Sequence, residues 1–121
     1  MPVVTPEQAP TFDVGGATIT GLASPSRGSS DTAAWRVRFA PGQASPPHSL
    51  DREEVFVVLE GALTARYGTH SETAAAGGAL IVSAGEQFEL VAEAGAEAVC
   101  VFPVGGTAVL GDERIVPPWA V

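Results

Sequence analysis

Two residues in the middle of the chain, His48 and Glu54, have the side chains that acid–base chemistry needs. Imidazole and carboxyl groups are common proton acceptors and donors in enzymes, and burial can move their pKa values toward neutrality. An apolar run, residues 55–59, follows Glu54 directly. Burial would raise the pKa of Glu54, and a charged His48 nearby would oppose that rise. The two residues are therefore candidates for acid–base chemistry.

The residues that follow His48 alternate as in a β-strand. A period of two places Glu54 and Phe56 on one face of the strand and Val55 and Val57 on the other. Both faces are mostly apolar, which predicts a strand covered on both sides. Gly61 is predicted to end this strand and to permit a tight reversal into a hairpin partner, residues 62–67.

Composition favours a single all-β domain. The chain has 121 residues, of which 45% are hydrophobic, and it contains 14 glycines and 10 prolines. No long segment shows the 3.6-residue period of an amphipathic helix, and frequent turn residues between short alternating runs are typical of β-sandwiches and barrels. We predict an N-terminal arm over residues 1–11, where three prolines oppose regular structure, and one domain over residues 12–121.

Charge and cysteine content narrow the classes of partner. The net charge is −8 and all six basic residues are arginines, which argues against nucleic acid and against anionic membrane surfaces. No apolar run reaches the length of a membrane span, and the N-terminus lacks the pattern of a signal peptide. The one cysteine, Cys100, excludes an intrachain disulfide. These features predict a cytoplasmic protein that binds neither nucleic acid nor membranes.

Residues 42–61 resemble the first signature of the cupin family. That signature runs Gly, five residues, His-x-His, three or four residues, Glu, six residues, Gly. Gly42, His48, Glu54 and Gly61 match it, and Leu50 stands where the family has its second histidine.

Residues 77–92 resemble the second cupin signature, which runs Gly, five residues, Pro-x-Gly, two residues, His, three residues, Asn. Gly77 and Gly85 match, whereas Ser83, Phe88 and Ala92 replace the proline, histidine and asparagine. The resemblance covers about residues 35 to 105. It implies an all-β cupin fold, the double-stranded β-helix or jelly-roll barrel, with an interior pocket.

Metal-bearing cupins hold their ion with three histidines and one glutamate. Transferring these positions by resemblance gives His48, Leu50, Glu54 and Phe88, and neither leucine nor phenylalanine has a lone pair to donate. A catalytic metal usually needs about three protein ligands. We therefore expect no metal cofactor, and His48 and Glu54 are the ligands if a metal does bind.

The same replacements predict an apolar pocket that takes a hydrophobic small molecule. The candidate pocket residues are Arg38, Leu50, Phe56, Phe88 and Cys100. For Arg38 and its neighbour Arg36 the default is that both face solvent, and the alternative is that one points into the barrel mouth as an anchor.

Three hypotheses of function follow. The first is a metal-independent isomerase, cyclase or lyase that uses His48 and Glu54 as its acid–base pair. The second is a ligand-binding or sensory cupin without turnover, and the third is a metal enzyme with an unusual ligand set. A homodimer is the expected assembly, with the N-terminal arm adding a strand at a sheet edge.

Overall fold

The alternating runs of the sequence form strands in a computed structural model that describes residues 1–121. Eleven strands and two short 3₁₀ turns, at Pro25–Arg27 and Pro118–Ala120, make up the regular structure. The strands are β1 (Thr11–Val14), β2 (Ala17–Ala23), β3 (Thr32–Phe39), β4 (Ser49–Leu50), β5 (Glu54–Tyr67), β6 (His70–Ala75), β7 (Ala79–Val82), β8 (Glu89–Val91), β9 (Ala96–Pro103), β10 (Ala108–Leu110) and β11 (Glu113–Ile115).

All strand pairs are antiparallel, and long β5 is shared between the two halves of the barrel. The main sheet has the order β1-β2-β3-β9-β5-β6, and β7 and β8 also pair with β5. A smaller sheet has the order β11-β10-β4. The sheets curl around one core, which confirms the predicted all-β jelly-roll fold. Neither helical segment is long and apolar enough to span a membrane.

Strand parity decides which side chains enter the barrel. Trp35 and Val37 on β3 are buried, while Arg36 and Arg38 between them point outward. The same alternation places Phe56 inside on β5, directly opposite Cys100 on β9. Side chains of period two therefore build one apolar interior from both strands.

Two features of β5 differ from the sequence prediction. Val57 and Leu59 are 39% and 41% exposed, so the strand is covered on its inner face only. The predicted reversal at Gly61 is also wrong, because β5 continues through it to Tyr67 and turns back only at Gly68. The register shifts just before Gly61, whose φ is +73°, and a Cβ there would collide with the Gly95 carbonyl oxygen. The glycine thus accommodates a bulge that bends the strand from one sheet to the other.

Residues 1–10 of the predicted N-terminal arm contain no strand, and its last residue, Thr11, begins β1. Residues 5–9 form a turn in which the Gln8 and Ala9 amides donate to the Thr5 carbonyl. The arm joins the sheet where the Gly21 amide donates to the Pro10 carbonyl at 2.9 Å, and β1 begins at Thr11. Within one chain residues 1–10 therefore supply no edge strand.

Candidate functional site

The barrel contains a cavity of about 190 Å³. Hydrophobic residues supply 14 of its 18 lining side chains, and no arginine is among them. Val14 and Ile115, which are 45% and 41% exposed, lie at the mouth. An engineered cavity of about 150 Å³ accepts benzene, so this space suits a ring-sized apolar molecule. The lining favours a neutral ligand over a charged one because an ion would lose its hydration there without a counter-charge.

His48 enters the cavity from the segment before β4. A pair of backbone hydrogen bonds fixes it: its amide donates to the Phe88 carbonyl at 3.0 Å, and the Phe88 amide donates back at 2.8 Å. The His48 and Phe88 rings pack with centroids 4.4 Å apart. The position of the imidazole is thus set by its backbone and by an aromatic side chain behind it.

The hydrogen bond of His48 fixes its tautomer. Nδ1 lies 2.8 Å from the Pro46 carbonyl oxygen, and because a carbonyl oxygen only accepts, Nδ1 carries the proton. Nε2 is left with a free lone pair. Burial lowers the pKa of His48, and the bond to Pro46 opposes this in part. His48 is therefore a neutral base at neutral pH.

Glu54 is the first residue of β5 and lines the same cavity. Its side chain makes no ion pair and no hydrogen bond within the chain, and the residue is only 6% exposed. Burial raises the pKa of Glu54 to about 8. The carboxyl group therefore holds its proton at neutral pH and presents an unused donor in an apolar space.

Cys100 lines the cavity from β9, opposite Phe56 on β5 and Trp35 on β3. Burial raises the pKa of its thiol well above the usual range, the nearby Glu54 adds to the rise, and the Trp35 indole opposes it. Since the thiolate is the nucleophilic form, the protonated Cys100 serves as an apolar wall residue.

The structure brings together most of the predicted site residues. His48, Glu54, Leu50, Phe56 and Cys100 all line one cavity. The cavity therefore holds the two ionisable side chains in a space whose remaining surface is nearly all apolar.

Two predicted pocket residues lie elsewhere. Phe88 is 1% exposed and sits behind the His48 ring, outside the cavity lining. The prediction that Arg38 lines the pocket is wrong, because Arg38 lies on the outer face of β3 with its side chain 73% exposed. Its Nη2 is 3.6 Å from Glu97, and Nη1 of Arg36 is 3.4 Å from the other carboxylate oxygen. Strand parity excludes both arginines, because Trp35 and Val37 take the inward positions.

The aromatic walls were not among the predicted site residues. Trp35 and Trp119 both line the cavity, with ring centroids 6.1 Å apart, and Trp119 also packs edge-on against Phe12 at 6.0 Å. Arg27 donates from Nη2 to the Trp119 carbonyl at 2.9 Å and holds the C-terminal segment in place. Trp119 thus docks on the barrel and lines the cavity, a position that the sequence alone did not predict.

The donor set does not fit the metal site of the family. No group of three or more His, Cys, Asp or Glu side chains lies close enough to hold an ion. Nε2 of His48 and the carboxyl group of Glu54 are the two donors that remain at the family's ligand positions. Leu50 and Phe88 offer no lone pair, so the residues present could supply only two ligands where about three are usual.

Comparisons with known proteins agree with this architecture. The family model described as Cupin domain matches residues 35–104. No curated protein matches the sequence. The identities of the solved structures below are about one fifth, and such likeness establishes a shared fold.

Three similar solved structures cover most of the chain. The polyketide cyclase RemF from Streptomyces resistomycificus is 20% identical with a TM-score of 0.73, over 94% of this chain and 81% of that one. An RmlC-like cupin from Shewanella frigidimarina NCIMB 400 is 20% identical with a TM-score of 0.71, over 84% and 88%. KdgF from Halomonas sp. is 20% identical with a TM-score of 0.69, over 84% and 91%.

Proposed function

Since the chain belongs to the cupin family, we propose that its barrel binds a neutral hydrophobic small molecule and acts on it without a metal. Glu54 is the general acid and His48 is the general base. One observation carries the proposal: the cavity holds two ionisable side chains, and burial keeps the carboxyl group protonated and the imidazole neutral at the same pH. Proton-transfer catalysis requires a donor and an acceptor of this kind together.

The reaction best suited to the pair is proton transfer next to a carbonyl group. His48 Nε2 removes a proton from the carbon beside the carbonyl, and the electron pair of that C–H bond forms the carbon–carbon double bond of an enol. The carbonyl oxygen takes the proton of Glu54, so the residues become imidazolium and carboxylate. The enol oxygen then returns its proton to the Glu54 carboxylate, and the imidazolium returns the other proton to carbon. Delivery to the opposite face of the same carbon, or to the far end of the system where the enol is conjugated with a second double bond, completes an isomerisation and restores the pair.

The surroundings support these roles. The Pro46 carbonyl accepts from Nδ1 in both states of His48, and so it stabilises the imidazolium when that forms. Imidazolium and carboxylate arise together and attract each other strongly where water is scarce. An enol can also attack a second carbonyl of the same molecule, which is a cyclisation. The structural likeness to a polyketide cyclase is consistent with that outcome.

Carbon-bound hydrogen exchange tests the proposal directly. We choose 2-tetralone as the probe, a neutral bicyclic ketone with acidic C–H bonds, and follow its deuteration in D₂O by NMR. We expect Glu54→Gln and His48→Gln to lower the protein-dependent exchange rate by about 10²- to 10⁴-fold. Cys100→Ala is the matched control, because it changes the lining without removing a proton donor that the reaction uses.

Binding is measured separately through tryptophan fluorescence. Trp35 and Trp119 line the cavity, so a bound ketone alters their emission. The proposed chemistry requires that both glutamine variants still bind the probe while exchange is lost. Binding with no exchange above the buffer rate in the wild type would contradict it.

A non-catalytic ligand-binding cupin is the second candidate, and one observation favours it. The Glu54 carboxyl group has no partner within the chain, and a buried unmet donor is a recognition group for a carbonyl or hydroxyl oxygen. In that case Glu54→Gln and His48→Gln change only the affinity for the probe. The same two measurements therefore distinguish the two functions.

A further inference from the structure

Part of the cavity wall is made by the residues that follow β11. These residues, 116–121, are here called the C-terminal strap. Pro117 and Trp119 of the strap line the cavity. The Trp119 ring packs against Trp35 on β3 and against Phe12 on β1. The strap therefore covers a part of the interior that the strands leave open.

No strand pairing holds the strap. β11 pairs only with β10, and that pairing ends at Ile115. Within residues 116–121 the Ala120 amide donates to the Pro117 carbonyl at 2.9 Å, which closes the 3₁₀ turn on itself. Pro117 and Pro118 have no N–H group and cannot extend a ladder. Segments without such ladders open at a lower free energy than the strands beside them.

Two side chains of the first 3₁₀ turn fasten the strap instead, and we call them the latch. Arg27 donates from Nη2 to the Trp119 carbonyl at 2.9 Å. Ser26 donates from Oγ to the main-chain oxygen of Val121 at 2.6 Å. The guanidinium group crosses Gly21 on β2, where a Cβ would come within 2.6 Å of Nη2. The missing side chain at Gly21 thus leaves the space through which Arg27 reaches the strap.

The closed strap leaves two polar groups unpaired. Nε1 of Trp119 and Nε of Arg27 are both buried and have no hydrogen-bond partner in the chain. Arg27 also forms none of the ion pairs of the chain. Buried unmet donors oppose the closed state, because water would satisfy them once the strap opens. Closure is therefore a balance between the burial of the Trp119 ring and the dehydration of these donors.

The other walls of the cavity are held more firmly. β3 pairs with β9 along its whole length, and β9 pairs in turn with β5. Separating these strands would break backbone hydrogen bonds across the main sheet, whereas releasing the strap breaks the two bonds of the latch. The least costly way to enlarge the entrance is therefore to move the strap.

We propose that the C-terminal strap is the gate of the cavity, which detaches from the latch to admit a ligand and closes over it. Pro117 and Trp119 move with the strap, so opening widens the mouth between Val14 and Ile115. A ligand gains contact with the Trp119 ring only when the strap is closed, and binding therefore favours closure. The inference rests on the proposed function, in which the cavity is the ligand site.

Labelling of Cys100 measures opening without any ligand. Cys100 is the one cysteine of the chain, lines the cavity and is 1% exposed. The reagent is methyl methanethiosulfonate, a small neutral compound that converts a thiol to a mixed disulfide, and the mass of the protein is followed with time. Each rate is measured at several low urea concentrations. Strap opening exposes little surface and should hardly depend on urea, whereas labelling through unfolding rises steeply with it.

Variants of the latch test its role. We expect wild-type labelling to be nearly independent of urea at low concentrations. Ser26→Ala and Arg27→Ala each remove one bond of the latch and should speed this labelling about tenfold. The matched control is Arg66→Ala, which removes an exposed arginine of β5 that forms no ion pair, and it should label like the wild type. Circular dichroism verifies that each variant is folded.

Two results would overturn the gate. One is wild-type labelling that rises with urea from the lowest concentration, since Cys100 would then be reached only through unfolding. The other is a labelling rate that neither latch variant changes. Both measurements are made without ligand, whereas the proposed function is judged by the binding and exchange of 2-tetralone. Failure of the gate and failure of the proposed function are therefore distinguishable.

Discussion

Replacement of Glu54 by glutamine should remove a large pH dependence from the stability of the fold. Glu54 is buried without a partner, and burial raises its pKa from 4.5 to about 8. Glutamine has nearly the same shape and does not ionise. The substitution therefore isolates the free energy that the fold loses because this carboxyl group resists ionisation.

The sign follows from proton binding in the two states. Between pH 4.5 and about 8 the unfolded chain releases the Glu54 proton while the folded chain keeps it, so the folded state binds more protons. The free energy of unfolding then falls as pH rises, by up to about 1.4 kcal/mol per pH unit. Over the interval of 3.5 units, from 4.5 to 8, the loss from this one group is on the order of 5 kcal/mol. That is a large fraction of the total stability of a small domain.

The assay is urea denaturation of wild type and Glu54→Gln at a series of pH values across that interval. We expect the stability of the variant relative to wild type to increase steadily with pH and to level off above about pH 8. The test is the slope of the stability difference against pH. The buried glutamine amide, which lacks a hydrogen-bond partner, changes that difference only by an amount that does not vary with pH. Glu53→Gln is the matched control, since Glu53 is exposed and its replacement should leave the slope unchanged. Parallel stability curves for wild type and Glu54→Gln would refute the reasoning.

The remaining predictions concern the base, its support, the bend in β5 and metal dependence. Because burial lowers the pKa of His48, stability should fall as pH drops below 6.5, and His48→Gln should abolish that part of the acid loss in the same denaturation series. Phe88→Ala should lower the free energy of unfolding by about 3–5 kcal/mol, as measured by urea denaturation. It should also slow tetralone exchange, because the His48 imidazole loses the ring that packs against it. An unchanged exchange rate would show that the imidazole does not need this contact. Gly61→Ala should lower the free energy of unfolding by about 1–3 kcal/mol more than Gly77→Ala does, as measured by thermal denaturation. Both glycines have a positive φ, but only a Cβ at Gly61 would strike the Gly95 carbonyl. Exhaustive chelation should leave both the exchange rate and the Tm unchanged, and a loss reversed by a divalent metal would contradict a metal-free site.

The sequence was sufficient for the fold, because two spaced signatures of the family can be read in it. The match of His48 and Glu54 to the family signature predicted that both face the interior, and both line the cavity although residues 51–53, which belong to no strand, separate their segments. The sequence could not predict the conformation at Gly61, because a glycine with a positive φ is compatible with a bulge as well as with a turn. The choice between them depends on the nearby Gly95 carbonyl, which is distant in sequence.

The cavity walls also could not be predicted fully from the sequence, because they depend on contacts between residues that are distant along the chain. Alternation puts Trp35 and Arg38 on opposite faces of β3, but it does not say which face is inside. The burial of Trp35 and the ion pair of Arg38 with Glu97 decide that question. Trp119 becomes a wall residue only because the C-terminal segment folds back to Arg27, a contact between residues 92 positions apart.

The apolar replacements at the family's ligand positions explain why His48 and Glu54 are both neutral. Leu50 and Phe88 stand where imidazoles would bring lone pairs and attract an ion, and with them the region around His48 and Glu54 becomes poor in water and charge. Desolvation acts oppositely on the two kinds of group, because it disfavours the charged form of each: it raises the pKa of the acid and lowers that of the base. One physical cause thus leaves the proton on Glu54 and the lone pair on His48 over the same pH range. A metal would reverse this, since a cation favours the carboxylate, and so the same cavity cannot be tuned for an ion and for a neutral acid–base pair at once.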